Sequence, residues 1–304
     1  RTATRQAMRQ LGHQFVLGET IEDALKRAKV LEPKGYRFSY DMLGEGARTQ
    51  ADAERYFRSY AAAIDAIGKA AGSRPLPDRP GISVKLSALH PRYEAVKEER
   101  VMSELLPRVL DLARMARAHD LNFTIDAEEA DRLELSLDLI ARIVADPVLD
   151  GWNGFGLAIQ AYQKRGQEVV SWLIDLARLH NRRLMERLVK GAYWDPEIKR
   201  AQERGLADYP VFTRKAATDL SYLACARRLL AARDVIYPQF ATHNALTVAQ
   251  IEEMAGTQKG FEFQRLHGMG ESLYGAVMEE VPKVPVRIYA PVGAHKDLLP
   301  YLVR

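Results

Sequence analysis

The chain has 304 residues, 47% hydrophobic and 28% charged, which excludes a largely disordered protein and is enough to bury a large core. Its net charge of +4, without a block of five or more like charges, argues against a nucleic-acid tail and suits anionic small molecules or an anionic membrane surface. A single cysteine, Cys225, excludes an internal disulfide framework, and no apolar run reaches the roughly 18 residues of a membrane span.

Residues 1–30 read as an exposed helical segment, clearest in "TIEDALKRAKVL", with Thr20 as N-cap and Asp23 in the manner of a capping box. Residues 31–304 read as one domain in which short β-rich runs alternate with helical periodicity. The predicted strands are "YRFSYDML" (36–43), "ISVKLS" (82–87), "NFTIDA" (122–127), "GFGLAIQ" (154–160), "RLVKGAY" (187–193), "YPQFATH" (237–243), "FEFQRLH" (261–267) and "VRIYAP" (286–291). Between them, Val101, Leu105, Val109, Leu112 and Met115 share a helical face. So do Val169, Trp172, Leu173, Leu176 and Leu179, and Leu246, Val248, Ile251 and Met254. The Pro-rich stretch 72–80 and "GWNGFG" (151–156) read as turns, and the long connection after residue 193 predicts two helices, from about Pro196 and about Ala216. Eight strands alternating with helices predict an α/β fold, a (βα)8 TIM-like barrel; the doubly wound alternative lacks its G-x-G-x-x-G fingerprint. The chain starts on Arg1 and stops at Arg304 inside a helical pattern, so it is expected to be a piece of something longer.

In such a barrel, function sits at the C-terminal strand ends. Polar residues collect there: Asp41 and Glu45 after strand one, Lys85 after two, and Asp126 with Glu128 and Glu129 after three. Gln160, then Arg187, Lys190 and Tyr193, follow on strands four and five. Thr242, His243 and Asn244 end strand six, Gln264, Arg265 and His267 strand seven, and Arg287 and Tyr289 lie on strand eight. Lys85, Arg187, Lys190, Arg265 and Arg304 outnumber Asp126 and Glu45, which predicts that a phosphorylated cofactor or an anionic substrate completes the charge balance. Thr213 and Lys215 at a helix start suit a pyrophosphate. A Schiff-base lysine at Lys85 or Lys190 stays open as an alternative, while a carboxylate pair of Glu45 and Asp126 is argued against by the surrounding cations. A metal on His90, His243, His267 and Asp126 lacks the usual ligand spacing, so no metal is expected.

The motifs "FSYDMLGE", "GISVKLSALHPRYE", "IDAEEADRLELSLDL", "RLVKGAYWDPEIKRAQ", "YPQFATHNA", "RIYAPVGAH" and "YLVR" run essentially from end to end. They resemble the proline dehydrogenase domain of the bifunctional flavoenzyme proline utilization A. The resemblance implies a distorted barrel with an extra helix after strand five and a final helix over the mouth. It implies non-covalent FAD and oxidation of L-proline to Δ1-pyrroline-5-carboxylate by hydride transfer from C5. It also implies a membrane quinone as electron acceptor, a cytoplasmic location with peripheral contact at the inner membrane face, and a pyrroline-5-carboxylate dehydrogenase domain elsewhere in the full-length chain. Among its site residues, Lys85 resembles the lysine near the substrate carboxylate and Asp126 the active-site aspartate. Tyr193, Leu266, Tyr289 and Tyr301 resemble the residues around the proline ring. Arg304 resembles the first of two carboxylate-clamping arginines, the chain ending before the second, and Glu45 the acid that pairs with it. Gln160, Arg187, Val189, Lys190 and Gly191 resemble the flavin side, and Thr213, Lys215, Thr242 and His243 the residues holding the rest of FAD.

Overall fold

The structure, a computed structural model, describes residues 14–280 and 284–294. Eight parallel strands close into a barrel in chain order: β1 (Tyr36–Met42), β2 (Gly81–Val84), β3 (Asn122–Ile125), β4 (Phe155–Gln160), β5 (Leu184–Val189), β6 (Ile236–Ala241), β7 (Glu262–Leu266) and β8 (Val286–Val292). The barrel expectation holds, with six of the eight strands ending earlier than the sequence pattern implied; β4 ends as expected and β8 one residue later. Lys85, Asp126, Lys190 and His243 therefore lie just past the strand tips, on the loops that carry function in this fold. Parallel pairing places Ser39 beside both Gly81 and Tyr289, and Asp41 beside Ser83.

Ten helices of four residues or more surround the strands among the described residues: α1 (Ile21–Leu31), α2 (Gln50–Ala70), α3 (Leu86–Leu89), α4 (Glu98–Ala118), α5 (Leu133–Ala145), α6 (Gly166–Leu179), α7 (Trp194–Glu203), α8 (Lys215–Ala231), α9 (Ala245–Ala255) and α10 (Glu271–Glu280). The two helices expected after β5 are α7 and α8. Thr20 caps α1, its hydroxyl accepting from the Asp23 N–H at 3.2 Å, and the reciprocal capping box lies at Thr49 and Asp52 on α2. The α1 segment is not exposed all round: Ile21, Ala24 and Ala28 are buried in the main core with Leu17. The final helix expected over the mouth, with Pro300, Tyr301 and Arg304, lies outside the described residues.

The α4 face is as expected, with Val101, Leu105, Val109 and Leu112 fully buried. Two expected core positions are corrected. Leu179 ends α6 at 78% exposure, since Val169, Val170, Leu173, Leu176 and Ala177 already fill the inner face. Leu246 is 67% exposed, because the inward stripe of α9 runs through Thr247, Val248, Ile251 and Ala255, and Met254 flanks it at 38%.

The barrel interior is polar where such barrels are usually filled by branched apolar side chains. At the floor, the fully buried Glu262 accepts from Arg287 Nε at 2.6 Å, Gln239 Nε2 at 2.8 Å and Gln264 Nε2 at 2.9 Å on one oxygen. Its other oxygen accepts from Arg287 Nη2 at 3.0 Å and Arg37 Nη1 at 3.1 Å. Burial alone would raise the Glu262 pKa, but the two guanidiniums outweigh it and hold the carboxyl below its usual range. Arg287 also donates to the carbonyls of Pro77 and Arg79, tying the Pro-rich turn under the barrel.

Candidate active site

Above that floor the C-terminal face opens into a cavity of about 840 Å³. Its base is a charged cluster contributed by five strands and their tips. Lys85 Nζ donates to Asp41 Oδ1 at 2.8 Å, Asp126 Oδ2 at 3.1 Å and the Tyr289 hydroxyl at 3.3 Å. Tyr289 in turn donates to Asp126 Oδ2 at 2.7 Å. Arg187 donates to Asp126 Oδ1 at 2.6 Å, and its guanidinium lies 4.9 Å from the centroid of the Tyr289 ring.

These contacts set the protonation states. Burial alone would neutralise Lys85, yet Asp41, Tyr289 and Asp126 hold its pKa well above the ordinary lysine value. For Asp126, burial raises the pKa, but Lys85 and Arg187 outweigh it and the net direction is down. Asp41 accepts from Lys85 on Oδ1 while its Oδ2 has no hydrogen-bond partner among the described residues, and burial pushes its pKa up, with Asp126 adding like-charge repulsion. The result is an ionised Asp126 and a protonated Lys85. A Schiff-base nucleophile needs a neutral amine, so neither Lys85 nor Lys190, which is ion-paired to Asp219, fits that alternative.

The expectation of unneutralised cations is corrected. Asp41 and Asp126 balance Lys85 and Arg187, while Asp219 on α8 accepts from Lys190 and Lys215, each at 2.5 Å. Arg265 donates to the carbonyls of Leu266 and Met269 and stands 3.9 Å from Glu271. The sequence count missed Asp41, although it ends a strand, and Asp219, whose signal is its position four residues after Lys215 on a helix. The three N–H groups of Lys85 all meet protein acceptors, so its place is that of a counter-ion beneath the cavity.

Arg187 and Lys190, three residues apart, diverge as strand geometry requires: Arg187 points into the barrel and Lys190 toward α8. Gln160 bridges two loops, donating to the Glu128 carbonyl at 2.8 Å and accepting from the Ala192 N–H at 3.0 Å. Gly191 follows with φ +146°, and a Cβ there would stand 2.3 Å from the Tyr162 ring. His243 Nε2 accepts from the Leu266 N–H at 3.0 Å, so its proton is on Nδ1.

Glu45, Val189, Tyr193, Lys215, Thr242, His243, Leu266 and Tyr289 line the same cavity as Lys85, Asp126, Gln160, Arg187, Lys190 and Gly191. Thr213 does not; it is exposed, two residues before α8. Tyr301 and Arg304, hence the Glu45–Arg304 pair, lie outside the described residues. Tyr56 of α2 lines the cavity without any sequence signal. Among the described residues no group of three or more His, Cys, Asp or Glu is placed to hold a metal ion.

The donor set fits a dinucleotide: Lys190 and Lys215 form a cationic wall, and Tyr289, Leu266 and Val189 offer apolar surface.

The profile of the family described as Proline dehydrogenase matches residues 24–304. The bifunctional protein PutA of Klebsiella aerogenes is 59% identical over 305 residues, covering 98% of this chain and 23% of that protein. The proline dehydrogenase of Deinococcus radiodurans is 28% identical, covering 99% of this chain and 86% of that one. A crystal structure of a Bradyrhizobium japonicum proline utilization A mutant superposes with a TM-score of 0.91 at 69% identity, over 99% of this chain and 31% of that one. The chain thus spans about a quarter of the length of the curated PutA relatives it matches.

Proposed function

The chain belongs to the proline dehydrogenase family, and from that premise we propose that it oxidises L-proline to Δ1-pyrroline-5-carboxylate with bound FAD. The observation that carries this reading is that one cavity holds both a wall of lysines and an apolar rim above the Asp126 cluster. When bound, FAD supplies the acceptor for the hydride that leaves proline C5.

The chain's own residues bind, orient and exclude water. Arg304, paired with Glu45, fixes the substrate carboxylate with its guanidinium fork, and Lys85 adds positive charge from below without touching it. Tyr289, Leu266, Tyr193 and Tyr301 wall the ring and displace water. Asp126 keeps Lys85, Arg187 and Tyr289 in place. Arg187, Gln160, Val189, Lys190 and Gly191 form the side for the flavin ring, and Lys215, Thr242 and His243 hold the phosphates and adenosine. Positive charge at Arg187 and Lys190 favours the reduced, more anionic cofactor.

In this reading residues 31–304 are the catalytic barrel and 1–30 an N-terminal segment. The full-length protein is cytoplasmic, touches the inner membrane face to pass electrons to a quinone, and carries a pyrroline-5-carboxylate dehydrogenase domain as its PutA relatives' bifunctional name suggests. Among the described residues no helix is long and apolar enough to cross a membrane. The test is a visible spectrum of the purified, FAD-loaded protein before and after anaerobic L-proline. Bleaching of the flavin band is expected; an unchanged band, or a protein that takes up no FAD, would overturn the reading.

A further inference from the structure

Arg187 carries five N–H bonds and four of them meet protein acceptors. Nε donates to Gln264 Oε1 at 2.7 Å, Nη1 to Asp126 Oδ1 at 2.6 Å, and Nη2 to Ser83 Oγ at 2.8 Å and Ser39 Oγ at 3.2 Å. The side chain is 4% exposed, yet the residue lines the cavity. The remaining hydrogen is on Nη1.

Gln264 is the partner whose role the fold makes specific. An isolated glutamine amide can point either way, but here it sits between a neighbour that only donates and one that only accepts. Its Nε2 donates to Glu262 Oε1 at 2.9 Å, and that carboxylate is kept ionised by Arg287 and Arg37 at the barrel floor. Its Oε1 must then face Arg187. A glutamate at this position would set one carboxylate against another, and an apolar residue would leave the buried Arg187 Nε–H without its acceptor, a costly loss, while Glu262 would keep Arg287 and Gln239. Gln239 reinforces the arrangement by donating to the same Glu262 oxygen at 2.8 Å.

We propose that Gln264, backed by Glu262, is a positioning residue that locks the Arg187 guanidinium from beneath, so that one N–H on Nη1 is presented to the ligand in the cavity. The barrel floor thereby sets the geometry of the flavin side of the site. This rests on the proline dehydrogenase reading for the identity of the ligand, but the lock itself is a property of the unliganded chain.

The experiment has a ligand-free arm and a kinetic arm. In a ¹⁵N spectrum of the unliganded protein, the Arg187 Nε–H, assigned by its loss in Arg187→Lys, is expected as a slowly exchanging signal. In Gln264→Met, which keeps the volume and loses the acceptor, its exchange is expected to quicken by at least about tenfold. A wild-type signal that exchanges as fast as an exposed arginine overturns the lock even if the variant fails to fold. In the kinetic arm, Gln264→Met is expected to slow proline-driven flavin reduction by about 10- to 100-fold, the scale of a sub-ångström to ångström misplacement. The proline KM and the FAD Kd are expected to stay within about threefold. Glu262→Gln, which lets the Gln264 amide turn over, is expected to slow reduction in the same direction. Reduction within about threefold of wild type in Gln264→Met, or a loss that falls on KM and FAD affinity as much as on the rate, overturns the proposal. A wild-type protein that proline does not bleach while its Nε–H stays protected overturns the enzymatic reading instead.

Discussion

Asp126 and Arg187 meet at 2.6 Å inside the barrel mouth, with side chains 9% and 4% exposed, and Asp126 simultaneously accepts from Tyr289 and Lys85. One carboxylate thus gathers donors from three other strand ends. Asp126→Asn would leave two buried cations short of a partner, and loss of one member of a buried pair costs about 3–5 kcal/mol. The cost should depend on pH in a definite sense. Lys85 and Arg187 outweigh burial and hold the Asp126 pKa below its unfolded value, so its contribution is complete above about pH 4 and fades as pH falls through the folded value. Urea denaturation of wild type and variant at pH 7 and near pH 3 checks this: the gap should be wide at the first and narrow at the second. A gap independent of pH would contradict the assigned ionisation.

Glu186 gives the opposite slope. It follows Met185 on the outward face of β5, is fully buried, and neither carboxyl oxygen has a hydrogen-bond partner among the described residues. Burial pushes its pKa well above the ordinary glutamate value, with Arg187 opposing only in part. The folded chain therefore keeps a proton that the unfolded chain releases above about pH 4.3, and stability falls as pH rises through that window. Glu186→Gln should remove this slope, and Glu186→Met should raise stability at pH 7 by about 1–3 kcal/mol. Urea midpoints at pH 5 and pH 8 decide it; parallel behaviour in wild type and Glu186→Gln would rule out the buried proton.

The barrel was legible because its strands are buried on both faces and read as short β-branched runs, and because polar residues crowd their C-terminal ends. What the pattern obscured was pairing. Asp41 and Asp126 both lie at strand ends, yet nothing in their spacing tells that one lysine lies between them, since only the parallel pairing of β1 with β2 and β2 with β3 sets the three tips side by side. Asp219 is more instructive. It stands near the start of a helix where an acid usually means a solvated face, and only the placement of α8 beside the end of β5 sets it against Lys190. Leu246 misled for a local reason: it is two residues from Val248, about 200° around the helix, so the two never shared a face. Of the interior polar column, Gln264 and Arg287 were read as strand-end polarity and Glu262 went unread, because a period of two marks a face without telling how deep along the barrel each residue lies.

Lys215 offers a test of the cationic wall. Its side chain is 72% exposed and its ion pair with Asp219 is shared with Lys190, so little of the fold depends on it. Lys215→Met should leave unfolding of the unliganded protein within about 0.5 kcal/mol of wild type. If its charge faces a cofactor phosphate, the FAD Kd should rise about tenfold, near 1.4 kcal/mol, and lose part of its salt dependence. Fluorescence titration with FAD at two ionic strengths measures both. Unchanged affinity would take Lys215 out of the cofactor site.

Gly191 tests whether the turn after β5 is built for the backbone it carries. At φ +146° the residue occupies a region that side chains rarely adopt, and an added Cβ would meet the Tyr162 ring at 2.3 Å. Tyr162 cannot yield freely, since its ring is buried against Tyr193 and Val211 and its hydroxyl accepts from the Tyr193 N–H at 3.3 Å. Gly191→Ala should therefore cost about 1–3 kcal/mol in strain alone. It should also displace Lys190 and Tyr193, the residues on either side of Ala192 and Gly191 that line the cavity. The expected result is a lowered melting temperature together with weaker FAD retention on gel filtration. A variant that melts with wild type and retains FAD equally would show that the turn has room for a side chain, and that the tight approach of Tyr162 to Gly191 is not what holds this wall of the cavity in place.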